Sequence, residues 1–172
     1  MNHYAWIPNK LRYDGFNELQ QAASILKSSW SGQLEMGKAD FKSAYKPVPP
    51  AEDQAWLCWA LVHNPHLGVH QVTQLHSQTF GGLGAVIAWY RAAKAIQVVM
   101  EQLGLVVLMY VDDCFWVAPK TENTASVSAT WILRVFEYVT HHLLGWSLDP
   151  DKSAVGSSLT LLGLQITKAT QP

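Results

Sequence analysis

The chain has 172 residues, 49% of them hydrophobic and 15% charged, with 12 Lys and Arg against 13 Asp and Glu for a formal net charge of −1. That length is ample for one domain and short for two, and the apolar content can fill a core, which excludes a disordered chain. The near-neutral balance excludes a uniformly basic surface, so any phosphate-binding footprint is local or lies on parts outside this chain.

No N-terminal stretch combines a basic region, an apolar core and a small-residue cleavage site, and no apolar run approaches the roughly 20 residues that span a bilayer. The expectation is an intracellular protein, cytoplasmic or nuclear, with no membrane partner. Cys58 and Cys114 lie far apart and form no Cys-x-x-Cys pair, which predicts reduced, buried thiols.

In chain order, Leu19, Ala22, Ala23, Ile25 and Leu26 recur at helical spacing, so an amphipathic helix is expected from Asn17 to Trp30. A short strand follows and ends at Asp40. Trp56 to Val62 is apolar throughout and reads as a buried strand, or as a strand pairing with the one that ends at Asp40. Asn64-Pro65-His66-Leu67-Gly68 marks a turn. A second helix is expected from Leu83 to Leu103, with Ala85, Ala88, Ala92, Ile96, Val99 and Leu103 on one stripe.

Two short β-branched and aromatic strands, Leu105–Met109 and Cys114–Val117, then flank Tyr110-Val111-Asp112-Asp113 as a tight hairpin. A polar turn at Pro119 to Asn123 leads to a third helix, capped by Asn123 or Thr124 and reaching Leu144, with Val127, Trp131, Val135, Tyr138 and Val139 on its face. Gly145 ends it, and a final strand runs from Leu159 to Ile166. This order implies an α+β fold: an antiparallel sheet with two helices packed on one face, the split βαβ, ferredoxin-like arrangement. Residues 1–36 read as an N-terminal helical segment and residues 37–172 as the main domain.

Two adjacent carboxylates raise each other's pKa and repel, and a hard divalent cation with oxygen ligands is the usual compensation. Taken alone, Asp112 and Asp113 read as a solvated turn, since aspartate favours turns for local hydrogen-bonding reasons. With Asp40 at a second strand end, three carboxylates suit two-metal phosphoryl chemistry, with ions about 3.5 to 4 Å apart. His63, His66, His70 and His76 fall around a turn without a thiol partner or an H-E-x-x-H framework, and read as surface or partly packed side chains. The eight tryptophans read as core and edge residues.

Asp40 through Tyr45, Phe80-Gly81 and Tyr110 through Asp113 resemble motifs A, B and C of a reverse transcriptase palm, with retroelement and retrotransposon polymerases as the closest likeness. Gly145-Trp146-Ser147-Leu148-Asp149-Pro150-Asp151-Lys152 resembles motif D, and Leu161-Leu162-Gly163-Leu164-Gln165-Ile166 resembles motif E, the primer-grip hairpin. All five stand in the family's order, from about Gly37 to Ile166, and the ordered set is more specific than any one member.

The resemblance implies an RNA-directed DNA polymerase that adds deoxynucleotides from their triphosphates to a primer 3′-hydroxyl on an RNA or DNA template. Asp40 and Asp112 would ligate two Mg2+ ions, or Mn2+, with Asp113 assisting. Phe41, Tyr45, Gly81 and Lys152 would contact substrate. Tyr45 would block a 2′-hydroxyl, the group that separates RNA from DNA; core packing is its other reading. For Gly81 the alternatives are Gly82, or a turn that only starts the second helix. Lys152 would protonate the departing pyrophosphate or steady the triphosphate, and otherwise reads as a surface lysine beside Asp151. Trp116, next to the acidic turn, reads first as a core residue like the other tryptophans, with primer contact as its other reading.

The chain departs from the family at three points. No proline precedes Phe80-Gly81. Lys46-Pro47-Val48-Pro49-Pro50 replaces a basic residue and glutamine, and Pro47 fixes φ and removes a donor, so a distorted segment is expected there. Only 36 residues precede Gly37, so fingers and thumb are truncated and expected from flanking sequence. The second reading is therefore a catalytically inactive or domesticated palm remnant that binds nucleic acid or protein. An RNA-directed RNA polymerase ranks third, disfavoured by Tyr45 and Val111.

Overall fold

The computed structural model describes residues 10–78, 82–121 and 126–167. Helix α1 (Phe16–Ser29) starts where Glu18 turns back to accept the Gly15 amide at 2.7 Å. It ends with Lys27 donating to the Gly32 carbonyl at 2.7 Å, a cation placed at the negative end of the helix dipole. Its limits lie within one residue of the expected ones.

Strand β1 (Leu34–Asp40) pairs antiparallel with β5 (Asp113–Pro119) over seven residues, from Leu34 opposite Pro119 to Asp40 opposite Asp113. Strand β4 (Leu108–Tyr110) flanks β5, and β6 (Ala154–Gly156) flanks the other side of β1, giving the order β4-β5-β1-β6. The order of strands, helix, hairpin and helix makes an α+β fold with antiparallel sheets and, among the described residues, three α-helices, consistent with a polymerase palm. The three-residue β6 was not expected, since three residues carry no usable period.

Side chains alternate across the sheet. Met36, Phe115 and Val117 meet Leu19 and Phe16 of α1, together with Leu159 and Leu161 of β7 (Ser158–Leu161). On the opposite face, Trp116 is fully buried and donates its Nε1–H to the Ala129 carbonyl at 3.1 Å, at the start of α3 (Ala129–Glu137). Phe136 of α3 lies 6.1 Å from Trp116 and 5.8 Å from Phe41, ring centre to ring centre. Gly37 permits this packing, because a Cβ there would overlap the Trp116 indole. Burial of each of these large rings contributes about 1.5–3 kcal/mol.

Asp14 fastens the chain ahead of α1 to the strand that carries the acidic turn. Its amide donates to the Met109 carbonyl at 3.1 Å. Its Oδ2 accepts from the Met109 amide at 2.9 Å and from Gln97 Nε2 at 2.8 Å, with Lys94 Nζ at 3.6 Å. Asp14→Ala is expected to cost about 2 kcal/mol, since it leaves two donors short of an acceptor; chemical denaturation of the two chains measures it.

Several expectations are corrected here. The third helix is capped by Ser128, whose hydroxyl accepts from the Trp131 amide at 3.2 Å; Asn123 and Thr124 lie outside the described residues. Its inward face is Ala129, Ile132, Phe136 and Val139, whereas Val127, Trp131 and Tyr138 are exposed. The helix finishes in a π-helical segment, Tyr138–Leu143, before Gly145 at φ 78°. The expected final strand is a hairpin of β7 and β8 (Leu164–Thr167), closed by Leu162 and Gly163, both at positive φ. Positive φ at both loop positions is the type I′ pattern that fits strand twist.

Residues 43–91 form a separate compact unit from the one built on Arg12–Lys42 and the chain from Ala92 onward. In it, a 3₁₀ helix (Glu52–Leu57) precedes β2 (Trp59–Asn64), which pairs with β3 (Val69–Gln74). The strand expected at Trp56 to Val62 is therefore neither buried nor paired with β1. Trp59, Leu61, Val62, Val69 and Val72 are exposed, and His63 stands opposite His70 with ring centres 5.1 Å apart. The Asn64 to Gly68 turn forms as expected: Asn64 Oδ1 accepts the His66 amide at 3.0 Å, and Gly68 takes φ 66°. Helix α2 (Leu83–Gln102) begins here and buries Ala85 and Trp89. Cys114 is buried and Cys58 half-buried, and neither forms a disulfide. No helix among the described residues is long and apolar enough to cross a membrane.

Candidate metal centre

The β1–β5 register sets Asp40 and Asp113 directly opposite one another at the end of the ladder. The hairpin that supplies the second carboxylate has a two-residue loop, Val111 and Asp112, between the paired Tyr110 and Asp113. Val111 sits at φ 57°, which is costly for a β-branched side chain and persists only where the surroundings over-determine it. One consequence is a β-turn that presents Asp112 and Asp113 consecutively beside Asp40.

The three aspartates act on one another electrostatically. Burial pushes the Asp112 carboxyl above its usual value, and the Asp40 charge adds to that rise. Asp113 is raised in the same direction, by loss of solvent first and then by the charges of Asp112 and Asp40. Burial, and then the same three charges, hold the neighbouring Cys114 thiol far above the range in which it would ionise. Among the described residues no three His, Cys, Asp or Glu side chains are gathered tightly enough to hold an ion as they stand.

Asp40 already has a partner of its own. Its Oδ2 pairs with Lys152 Nζ at 2.5 Å, and its Oδ1 is buried with no hydrogen-bond partner among the described residues. A buried carboxylate oxygen left without a donor is an acceptor waiting for a positive partner. The donor set is all oxygen, which suits Mg2+ or Mn2+. Asp40, Asp113, Lys38 and Lys152 line a cavity of about 90 Å³ with Thr160 and Leu161.

Lys152 is placed by a loop that is itself tied to β1. The Asp149 amide donates to the Asp40 carbonyl at 2.8 Å, while the Asp149 carbonyl accepts the Lys152 and Ser153 amides at 3.2 and 3.0 Å. The hydrogen bond to Asp40, followed by its charge, holds the Lys152 ammonium above its usual value. Asp151, the expected neighbour of Lys152, is not its partner; Asp40 is.

Two other expected site residues, Phe41 and Tyr45, each lie against an aromatic ring. Phe41 is buried against Phe136 and bridged to Leu148, so its ring serves the core. Tyr45 leans on Trp89 of α2, with ring centres 6.2 Å apart, inside the unit of residues 43–91. Gly81 and Phe80 lie outside the described residues; Gly82 accepts the Ala85 amide at the start of α2. Trp116 is fully buried against α3, in the core role expected of it rather than at a primer. Successive turns at Ser43–Lys46 and Tyr45–Val48 make up the segment around Pro47, with Ser43 at φ 62°. Sequence reasoning missed Lys38, whose charge acts on Asp113 and whose Nζ donates to the Thr160 carbonyl at 3.1 Å. Its position two residues before Asp40, on the same strand face, was the available signal.

The raised carboxyls give a pH signature. The folded chain holds the protons of Asp112 and Asp113 more tightly than the unfolded chain does. Their contribution to stability is therefore complete below about pH 4 and is lost as pH rises through the raised folded values. Asp112→Asn is expected to raise Tm by about 1–2 °C at neutral pH in chelator, discounted for solvent screening, and to leave it unchanged below about pH 4. Thermal scans across pH measure both.

No family model and no curated protein matches this chain. Solved structures do. The foamy viral protease-reverse transcriptase in complex with RNA/DNA hybrid superposes with a TM-score of 0.57 and 17% identity, over 77% of this chain and 16% of that one. The prototype foamy virus protease-reverse transcriptase CSH mutant gives a TM-score of 0.58 at 17% identity over 80% of this chain, and the native protein gives 0.56 at 15% over the same share. This chain spans 17% of the length of each of those two. It shares the fold of a region of a retroviral reverse transcriptase.

Proposed function

We propose that this chain is the palm of an RNA-directed DNA polymerase, a retroelement or retrotransposon fragment acting inside the cell. Residues 37–172 make up the palm in this reading, and the segment before them is what remains of the fingers. The observation that supports it most is the buried, unpartnered Asp40 Oδ1 beside two carboxylates whose protonation is favoured by burial and mutual repulsion. The likeness in fold to a protein solved with an RNA/DNA hybrid supports the nucleic-acid side of the reading.

In the proposed chemistry, Asp40 and Asp112 hold two Mg2+ ions, with Mn2+ as a substitute, and Asp113 assists. When bound, the pair supplies activation of the primer 3′-hydroxyl and charge neutralisation on the leaving pyrophosphate. The chain's own part is positional. The β1–β5 register fixes Asp40 against Asp113, the strained Val111 aims Asp112, and the loop anchored by Asp149 carries Lys152 to the same place. Tyr45 selects deoxynucleoside triphosphates, and Gly81 lets template or nucleotide approach the backbone. Fingers and thumb come from flanking sequence and position template and primer. The test is primer extension by a chain lengthened with fingers and thumb, with and without Asp112→Asn.

A second reading is a domesticated palm remnant that binds nucleic acid or protein without catalysis. It is favoured by the Lys152 ammonium seated on Asp40. Loss of magnesium-dependent extension in the lengthened chain, with retained binding of an RNA/DNA hybrid, would select it.

A further inference from the structure

Asp40 is neutralised by a cation that the chain supplies itself. The two partners differ in how freely they can part: the Asp40 side chain is 11% exposed and that of Lys152 63%. Asp40 is fixed by its pairing with Asp113 and by the Asp149 amide on its carbonyl. The backbone of Lys152 is equally fixed, with its amide on the Asp149 carbonyl and the Asp151 amide on Asp149 Oδ1 at 3.1 Å. What remains mobile is the four-carbon stem, which can swing its ammonium into water at little desolvation cost. Lys38, the other ammonium at the cavity, is held on the Thr160 carbonyl rather than on a carboxylate.

We propose that Lys152 holds, in the cation-free chain, the place on Asp40 that a divalent cation takes, so that cation entry and withdrawal of Lys152 from Asp40 are a single exchange. This rests on the reading of Asp40, Asp112 and Asp113 as a metal centre. An ammonium offers one charge and three donors to a carboxylate it shares with no other ligand. A divalent ion offers two charges and takes several oxygens at once, so it displaces the ammonium where Asp112 or Asp113 can join. The buried carboxylate is thus never left without a counter-charge, a state that would be strongly destabilising. The displaced ammonium stays tethered at the rim, within one side-chain length of the ion that replaced it.

Calorimetric titration of Mg2+ into the full chain at low ionic strength tests this, using wild type, Lys152→Met, Lys38→Met and Asp40→Asn. Removal of the competitor is expected to tighten Mg2+ binding about fivefold in Lys152→Met. Loss of general positive charge in Lys38→Met is expected to tighten it about twofold or less. Equal or weaker binding by Lys152→Met, or equal tightening by both lysine variants, overturns the exchange while leaving the metal centre standing, provided Asp40→Asn abolishes the binding. Absence of saturable binding in both wild type and Lys152→Met overturns the metal centre and the exchange together.

Discussion

Trp116→Ala is expected to cost about 3–5 kcal/mol, the range for deleting a fully buried aromatic ring. The indole is wholly enclosed, fills the space above Gly37, touches Phe136 and satisfies the Ala129 carbonyl. Truncation leaves a cavity at the contact between sheet and α3 and an acceptor without its donor. Gly37→Ala attacks the same contact from the other side, because the added Cβ overlaps a ring that has no room to retreat, at an expected cost of about 2–3 kcal/mol. The two substitutions touch one contact, so their effects are expected not to add: Gly37→Ala should cost much less in a Trp116→Leu background. Denaturant titration of the four chains of that cycle measures it, and full additivity would place the Gly37 effect elsewhere.

Asp112→Asn is expected to lower primer extension by about a thousandfold in the chain lengthened with fingers and thumb, if its carboxylate holds an ion that supplies several kcal/mol of transition-state stabilisation. Asparagine keeps the shape and the turn and removes only the charge. The same substitution is expected to leave folding intact or slightly improved, because it removes a partly buried charge and then relieves repulsion with Asp40. Loss of extension together with an unchanged or raised Tm separates a chemical role from a structural one. A variant that extends primer as well as wild type rules out Asp112 as a ligand.

The elements that carry the acidic residues were legible because local pattern and tertiary structure agree there. The expected hairpin forms around a two-residue loop, with strands Leu108–Tyr110 and Asp113–Pro119, although Leu105–Val107 is not part of a strand. The spacing of Leu19 and its neighbours gives α1 to within one residue. Where two answers shared one pattern, the sequence could not choose. Trp131 with Val135 and Ile132 with Phe136 are both apolar at helical spacing, and only the position of Trp116 decides that the second pair faces inward.

Apolar content misled at Trp59–Asn64. A strand rich in Trp, Leu and Val reads as buried, yet it pairs with the nearby Val69–Gln74 and leaves most of its side chains in solvent. The short Asn64 to Gly68 turn makes that partner cheap in loop entropy, whereas β1 lies much farther back along the chain. The contacts that shape the candidate centre left no local trace. Lys152 meets Asp40 across 112 residues, and Asp14 meets Met109 across 95. Neither partner can be read from spacing, because the sheet register brings them together.

Anomalous diffraction from crystals soaked in Mn2+ addresses the central claim most directly. A manganese peak at the Asp40 and Asp112 carboxylates, with the Lys152 ammonium displaced from Asp40, is the expected result. A map without density at that place, with Lys152 still seated on Asp40 at saturating Mn2+, would contradict a metal-dependent palm.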